Sequence, residues 1–110
     1  MATLYLNAPK EKTDSEGKKS YEDTLRTRVG NGYAIPQCYA TLCIPGCDVI
    51  LLCQDTKKRA QGILKALKPT GEKTNNGMLR YDVYIENLVD VPYSPPPSHL
   101  MRTGILFISD

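Results

Sequence analysis

Apolar positions along the chain recur mostly at a spacing of two, the signature of strands with one buried face. Thr3 to Asn7 alternates in this way and reads as a first short strand, ended by Pro9. Residues 10–19 are polar and charged and contain Gly17, so a mobile loop is expected there. At Ser20 the spacing changes. Ser20 followed three residues later by Asp23 makes a helix-capping pair. Tyr21, Leu25 and Val29 then recur at four-residue intervals, which predicts a short helix closed by Gly30-Asn31-Gly32. Gln37 to Leu42 is expected to be a strand, broken at Pro45-Gly46.

The second half of the chain carries the stronger strand signals. Val49 to Cys53 is a continuous apolar run rich in β-formers, short enough for a strand covered on both faces. Asp55 to Lys58 reads as a turn. Ala60 to Lys68 fits two periods: Ala60, Ile63, Leu64 and Leu67 at helical spacing, or Ala60, Gly62, Leu64 and Ala66 on one face of a strand. Asn75-Asn76-Gly77 carries the Asn-Gly hairpin signal, and a hairpin there needs a strand before it, so a strand is expected. Leu79 to Leu88 follows, with Tyr81, Val83 and Ile85 on one face and Arg80, Asp82, Tyr84 and Glu86 on the other. Residues 92–99 form a stiff, proline-rich connection, and Gly104 to Ile108 is a last strand. The expected fold class is mainly β (α+β): a small β-barrel or curled antiparallel sheet of five to six strands with one or two short helices.

Size and composition fit that picture. A chain of 110 residues with 41% apolar and 24% charged residues makes one globular domain, 1–110, with a modest core. No apolar run approaches the roughly 18 residues needed to cross a bilayer. Met1 to Leu6 has neither the basic start nor the apolar stretch of a signal peptide. A soluble, cytoplasmic protein is expected, with no membrane partner.

Charge is more informative by segment than in total. The net charge is +2, but residues 57–80 carry Lys57, Lys58, Arg59, Lys65, Lys68, Lys73 and Arg80 against Glu72 alone, a local balance of +6. Residues 81–110 swing to −3. The basic segment is either a solvated lysine-rich surface or an electrostatic footprint for an anionic partner.

The four cysteines, Cys38, Cys43, Cys47 and Cys53, are separated by five, four and six positions and form no Cys-x-x-Cys pair. The single histidine, His99, lies far off. Structural zinc sites bring ligands closer together, so reduced, buried cysteines are expected, with no metal and no cofactor.

The order of elements resembles the PUA-like barrels, the group that includes EVE and ASCH domains. Leu4-Tyr5-Leu6-Asn7-Ala8-Pro9 resembles the first strand of an EVE domain. Pro45-Gly46-Cys47-Asp48-Val49-Ile50 resembles the Gly-Asp-x-Val entry to a central strand, with Cys47 inserted. Gly62-Ile63-Leu64 is placed like the strand that follows, and Asp82 to Pro92 like the next with its trailing proline. The resemblance implies a PUA-like β-barrel over about residues 3–93. EVE domains resemble readers of modified nucleobases that hold a base between aromatic walls. This chain has no tryptophan, which leaves Tyr5, Tyr33, Tyr39, Tyr81, Tyr84 and Tyr93 as stacking candidates.

Three functional expectations follow. The first is a non-enzymatic module binding nucleic acid or a modified nucleotide, with Lys57, Lys58, Arg59 and Lys73 on phosphate and Tyr84 or Tyr33 stacking on a base. The second follows the ASCH likeness. Gly17-Lys18-Lys19-Ser20-Tyr21-Glu22 fits Gly-x-Lys-x-x-Glu, although Thr24 stands where the pattern has arginine. It implies an amidohydrolase acting on a modified nucleoside, with Lys19 and Glu22 as catalytic pair. The third is a protein-interaction or inhibitor domain that sets the basic face against an acidic partner.

Overall fold

A computed structural model describes residues 2–10, 20–100 and 104–108. Within them the chain forms β1 (Thr3–Asn7), α1 (Tyr21–Thr27), β2 (Val29–Ala34), α2 (Gln37–Ala40), β3 (Asp48–Cys53), β4 (Lys58–Lys73), β5 (Leu79–Val91) and β6 (Ile105–Ile108). The strands make one strongly curled, mixed sheet, a half-barrel, in the order β2-β5-β4-β3-β1-β6. β1 and β3 run parallel, and every other neighbouring pair is antiparallel. No helix among the described residues is long and apolar enough to cross a membrane.

The concave face holds the core. Leu4 and Leu6 of β1, Val49 and Leu51 of β3, Ala60 and Leu64 of β4, and Tyr81, Val83 and Ile85 of β5 are all buried there. The alternation predicted for β5 therefore holds. Ile50 and Leu52, on the opposite face of β3, are buried too, as expected for a strand covered on both sides. To reach β6 the chain leaving β5 must pass β4, β3 and β1. Arg59, directly opposite Leu52, donates from Nη1 to the carbonyl (3.2 Å) and hydroxyl (2.7 Å) oxygens of Ser94, and so holds that connection against the outer face.

Strand β4 settles the ambiguous segment 60–68 as strand, and its hairpin to β5 turns through Asn75-Asn76-Gly77 as predicted. Between these strands the register shifts three times. In one shift Gln61 faces Val89 and Ile63 faces Glu86, so two residues, Asn87 and Leu88, stand opposite Gly62 alone, one more than a regular ladder holds. The backbones come so close that a Cβ on Gly62 would lie 2.7 Å from the Glu86 carbonyl oxygen. Bulges of this kind increase local twist, consistent with the curl.

Two local expectations are corrected. Helix α1 begins as predicted, with Ser20 Oγ accepting from the Asp23 backbone N–H at 3.2 Å. It ends at Thr27, before the glycines: Arg28 takes the left-handed conformation (φ 62°) and its N–H returns to the Thr24 carbonyl. Val29 then leaves the helix and pairs with Tyr84, opening β2, which includes Gly30 and Gly32. Gln37 to Leu42 is not a strand; Tyr39 and Ala40 both donate to the Pro36 carbonyl and wind the segment into α2. Among the cysteines, Cys43, Cys47 and Cys53 are buried, whereas Cys38 is exposed on α2.

Candidate functional site

The residues singled out for function fall in several places. Lys57, Lys58 and Arg59 lie at the β3–β4 turn, where Lys57 itself is left-handed (φ 54°). Lys58 Nζ meets Glu22 Oε1 at 2.5 Å, and this hydrogen bond raises the pKa of the ammonium. Arg59 is committed to Ser94. Lys73 stands at the far end of β4, opposite Leu79, whose side chain packs toward the core; the pair shares the concave side. Lys73 is therefore separated from the Lys57–Arg59 turn by almost the whole strand. Lys19 lies outside the described residues, and its proposed partner Glu22 is exposed on α1 and occupied by Lys58.

The two tyrosines part company. Tyr33 is 1% exposed and belongs to the core cluster, so its ring is interior packing and offers no face to a base. Burial raises its pKa above the ordinary phenol value. Tyr84 is half-buried on the outer face of β5, with Lys68 Nζ 4.9 Å from its ring centroid.

Around Tyr84 three backbone irregularities converge. The left-handed Arg28 ends α1, and its carbonyl accepts from the Ile85 N–H at 2.9 Å, which fixes the helix end against β5. On the other side, Leu64 faces Ile85 while Ala66 faces Tyr84, so Lys65 is the bulged residue between them. Asn87, left-handed at φ 53°, is the first of the two residues opposite Gly62. Arg28, Lys65, Tyr84, Glu86 and Asn87 thereby line one open depression of about 510 Å³, with Thr27, Val29 and Ile85 completing its wall. Arg28, Lys65, Glu86 and Asn87 are exposed. Chemically this is a shallow bowl with two cations, one carboxylate, one amide and a phenol ring, the ring carrying a third cation beside it.

The neighbouring edge is tied to the sheet by side chains. Asp82 accepts from Asn31 Nδ2 (3.0 Å) and the Gly32 N–H (3.2 Å), and Arg80 Nη1 donates to the Gly32 carbonyl at 2.8 Å. These bonds fasten β2 to β5 where its register slips. They draw Asp82 and Arg80 toward β2, while Asp82 stays directly opposite Lys68 on the face that carries Tyr84.

Sequence reasoning found Tyr84 but not its surroundings. Lys65 and Lys68 belong to the counted basic segment, yet periodicity could not show which lysines a bulge would turn toward Tyr84. A signal for the Asn87 bulge was present: after Tyr81, Val83 and Ile85 the next buried apolar residue is Leu88, a step of three in a strand otherwise stepping by two. Arg28 had no comparable signal, because the helix was expected to continue through it.

A second surface feature lies elsewhere. Leu42 and Ile44, between α2 and β3, are 52% and 62% exposed, and with Ala2, Pro45, Gly46 and Cys47 they line an apolar hollow of about 360 Å³. Comparison of the chain with protein-family models, with curated proteins and with solved structures finds no match.

Proposed function

We propose that this protein is a small binding module of PUA-like character that recognises nucleic acid or a modified nucleotide through the outer face of β4 and β5. The observation that carries the reading is the meeting of Tyr84 with Lys68 at 4.9 Å beside a depression lined by Arg28 and Lys65. A ring flanked by cations is the combination that nucleic acids use, base on ring and phosphate on cation. The phosphate role passes from Lys73 to Lys65, Lys68 and Arg28; Lys57, Lys58 and Arg59 stand at the periphery.

An amide NMR titration with nucleosides, nucleotides and short oligonucleotides at low and moderate salt tests it. Shifts should cluster on residues 28–29, 65–68 and 84–87 and fade as salt rises. Absence of shifts with every member of the panel would overturn the reading. The exposed apolar hollow around Leu42 and Ile44 favours a second reading, a protein-interaction domain; binding to a protein but to no nucleotide would select it.

A further inference from the structure

Resting on the nucleotide-binding reading, we infer that the ligand of the Tyr84 face is an internal stretch of single-stranded nucleic acid. A free nucleotide or an intact duplex fits the face less well. The argument begins with where the cations stand. Val29, Tyr84 and Ala66 lie side by side on β2, β5 and β4. Arg28 is therefore on the β2 side of Tyr84, and Lys65 and Lys68 are on the β4 side. Neighbouring strands are about 4.8 Å apart, so the two cationic flanks are separated by two strand spacings, roughly 10 Å, with the ring between them. One phosphate cannot serve both flanks while its own base lies on the ring. A nucleotide within a strand can, because it has a phosphate on each side.

The acidic side chain in the wall points the same way. Glu86, two residues beyond Tyr84 on the same strand, weakens the field for a phosphate at the centre of the bowl and leaves the centre to the uncharged base. Shape argues against the other two ligands. Pockets for small molecules bury most of the ligand, whereas four of the residues in this wall are exposed. In a duplex each base face is already covered by its neighbours, and enzymes and readers that extrude a base need a closed pocket to receive it. An open bowl supplies none.

The test compares thymidine 5′-monophosphate, oligothymidylates of two to eight nucleotides, and a hairpin duplex of similar length, by tyrosine fluorescence and calorimetry over a range of salt. Affinity should rise at least about tenfold from the monophosphate to the trinucleotide and then level off. With three cations engaged, log K should fall with log salt at a slope of about −2, from roughly −0.7 per phosphate on a single strand. The substitutions Lys65→Ala, at an exposed position, and Tyr84→Leu, at a half-buried one, checked for folding by thermal melting, should each weaken trinucleotide binding more than monophosphate binding. A monophosphate that binds as tightly as the trinucleotide, or a duplex that matches the single strand, overturns this inference and leaves the nucleotide-binding reading in place. Failure of every probe, nucleosides included, overturns both.

Discussion

Strand β4 carries two basic stretches, and the fold treats them differently. In the first, at the β3–β4 turn, Lys58 is in contact with Glu22 and Arg59 with Ser94, so these side chains fasten α1 and the β5–β6 connection to the sheet. In the second, Lys65 is carried on a bulge into the wall of a depression, and Lys68 lies over the ring of Tyr84. The two stretches are only a few residues apart and look alike in a charge count. A cation in contact with a carboxylate has little field left at a distance, whereas one beside an aromatic ring keeps it. Charge in a sequence is therefore not the same as charge presented to a ligand.

The largest expected effect comes from the residue between the two stretches. Gly62→Ala would place a Cβ 2.7 Å from both the Glu86 carbonyl oxygen and Ile85 Cγ2. The carbonyl is backbone and cannot turn aside, so β4 and β5 must separate. Overpacking of this kind costs about 1–3 kcal/mol, and at roughly 4–8 °C per kcal/mol for a domain near this size the melting temperature should fall by several degrees or more. Because the Asn87 bulge would move, binding at the Tyr84 face should weaken while the Lys58–Glu22 contact persists. A variant that melts like the parent would mean that the bulge is not held by this close approach.

Alkali acts on the interior beneath both stretches. Burial, and secondarily the neighbouring Cys47, pushes the Cys43 thiol from its ordinary 9.0 up to about 12. Above pH 9 the unfolded chain loses a proton that the folded chain keeps, so the folded state binds more protons and stability falls as pH rises toward 12. Below pH 9 this contribution is complete. Tyr21 and Tyr33, whose pKa values are also raised by burial, add to the loss in the same direction at higher pH. Urea midpoints measured from pH 7 to 11 should be flat at first and then decline, with a shallower decline in Cys43→Ala. A flat profile to pH 11 would contradict the burial of these groups.

Binding variants sharpen the contrast directly. Tyr84→Ala should lower single-strand affinity by about 1–3 kcal/mol, the range for one base–aromatic stack, with a small change in melting temperature because the ring is half-buried on the outer face. Removing Lys65 or Lys68 should reduce the steepness of the salt dependence by about 0.7 each. Lys58→Ala and Arg59→Ala should leave that slope unaltered. Equal slopes for all four lysine and arginine variants would erase the distinction between the stretches.

Much of the fold was legible because most strands obey one period. β1, β3, β5 and β6 were readable from alternation or from a short apolar run, and the Asn-Gly turn decided β4. What escaped depends on single backbone conformations. Nothing in the pattern Leu25-Arg26-Thr27-Arg28-Val29 announces that Arg28 turns left-handed, yet that turn converts Val29 from a helix residue into the start of β2. The site was legible to the same degree. Tyr84 was found because it breaks the polarity of its face, whereas Lys65 and Asn87 owe their positions to bulges set by pairing between distant segments. Tyr33, expected as a stacking residue, was misplaced because only the pairing of β2 with β5 carries its ring into the core.

The smallest expected effect tests the first stretch on its own terms. Glu22→Gln removes the carboxylate facing Lys58 while keeping a side chain able to accept a hydrogen bond. Exposed ion pairs contribute little to stability, and both partners are well exposed, so the melting temperature should not change measurably. The pKa of Lys58 should fall back toward the ordinary lysine value, because the hydrogen bond and charge of Glu22 are what raise it. The informative quantity is binding. If the first stretch is silent because Glu22 neutralises Lys58, the substitution should release one cation and steepen the salt dependence, by at most about 0.7. If the slope does not move, Lys58 is silent because of where it stands: about seven residues along β4 from Lys65, or roughly 23 Å at 3.3 Å per residue, too far from Tyr84 to share a ligand of three nucleotides. Position would then be the reason the two stretches differ, and pairing only an accompaniment.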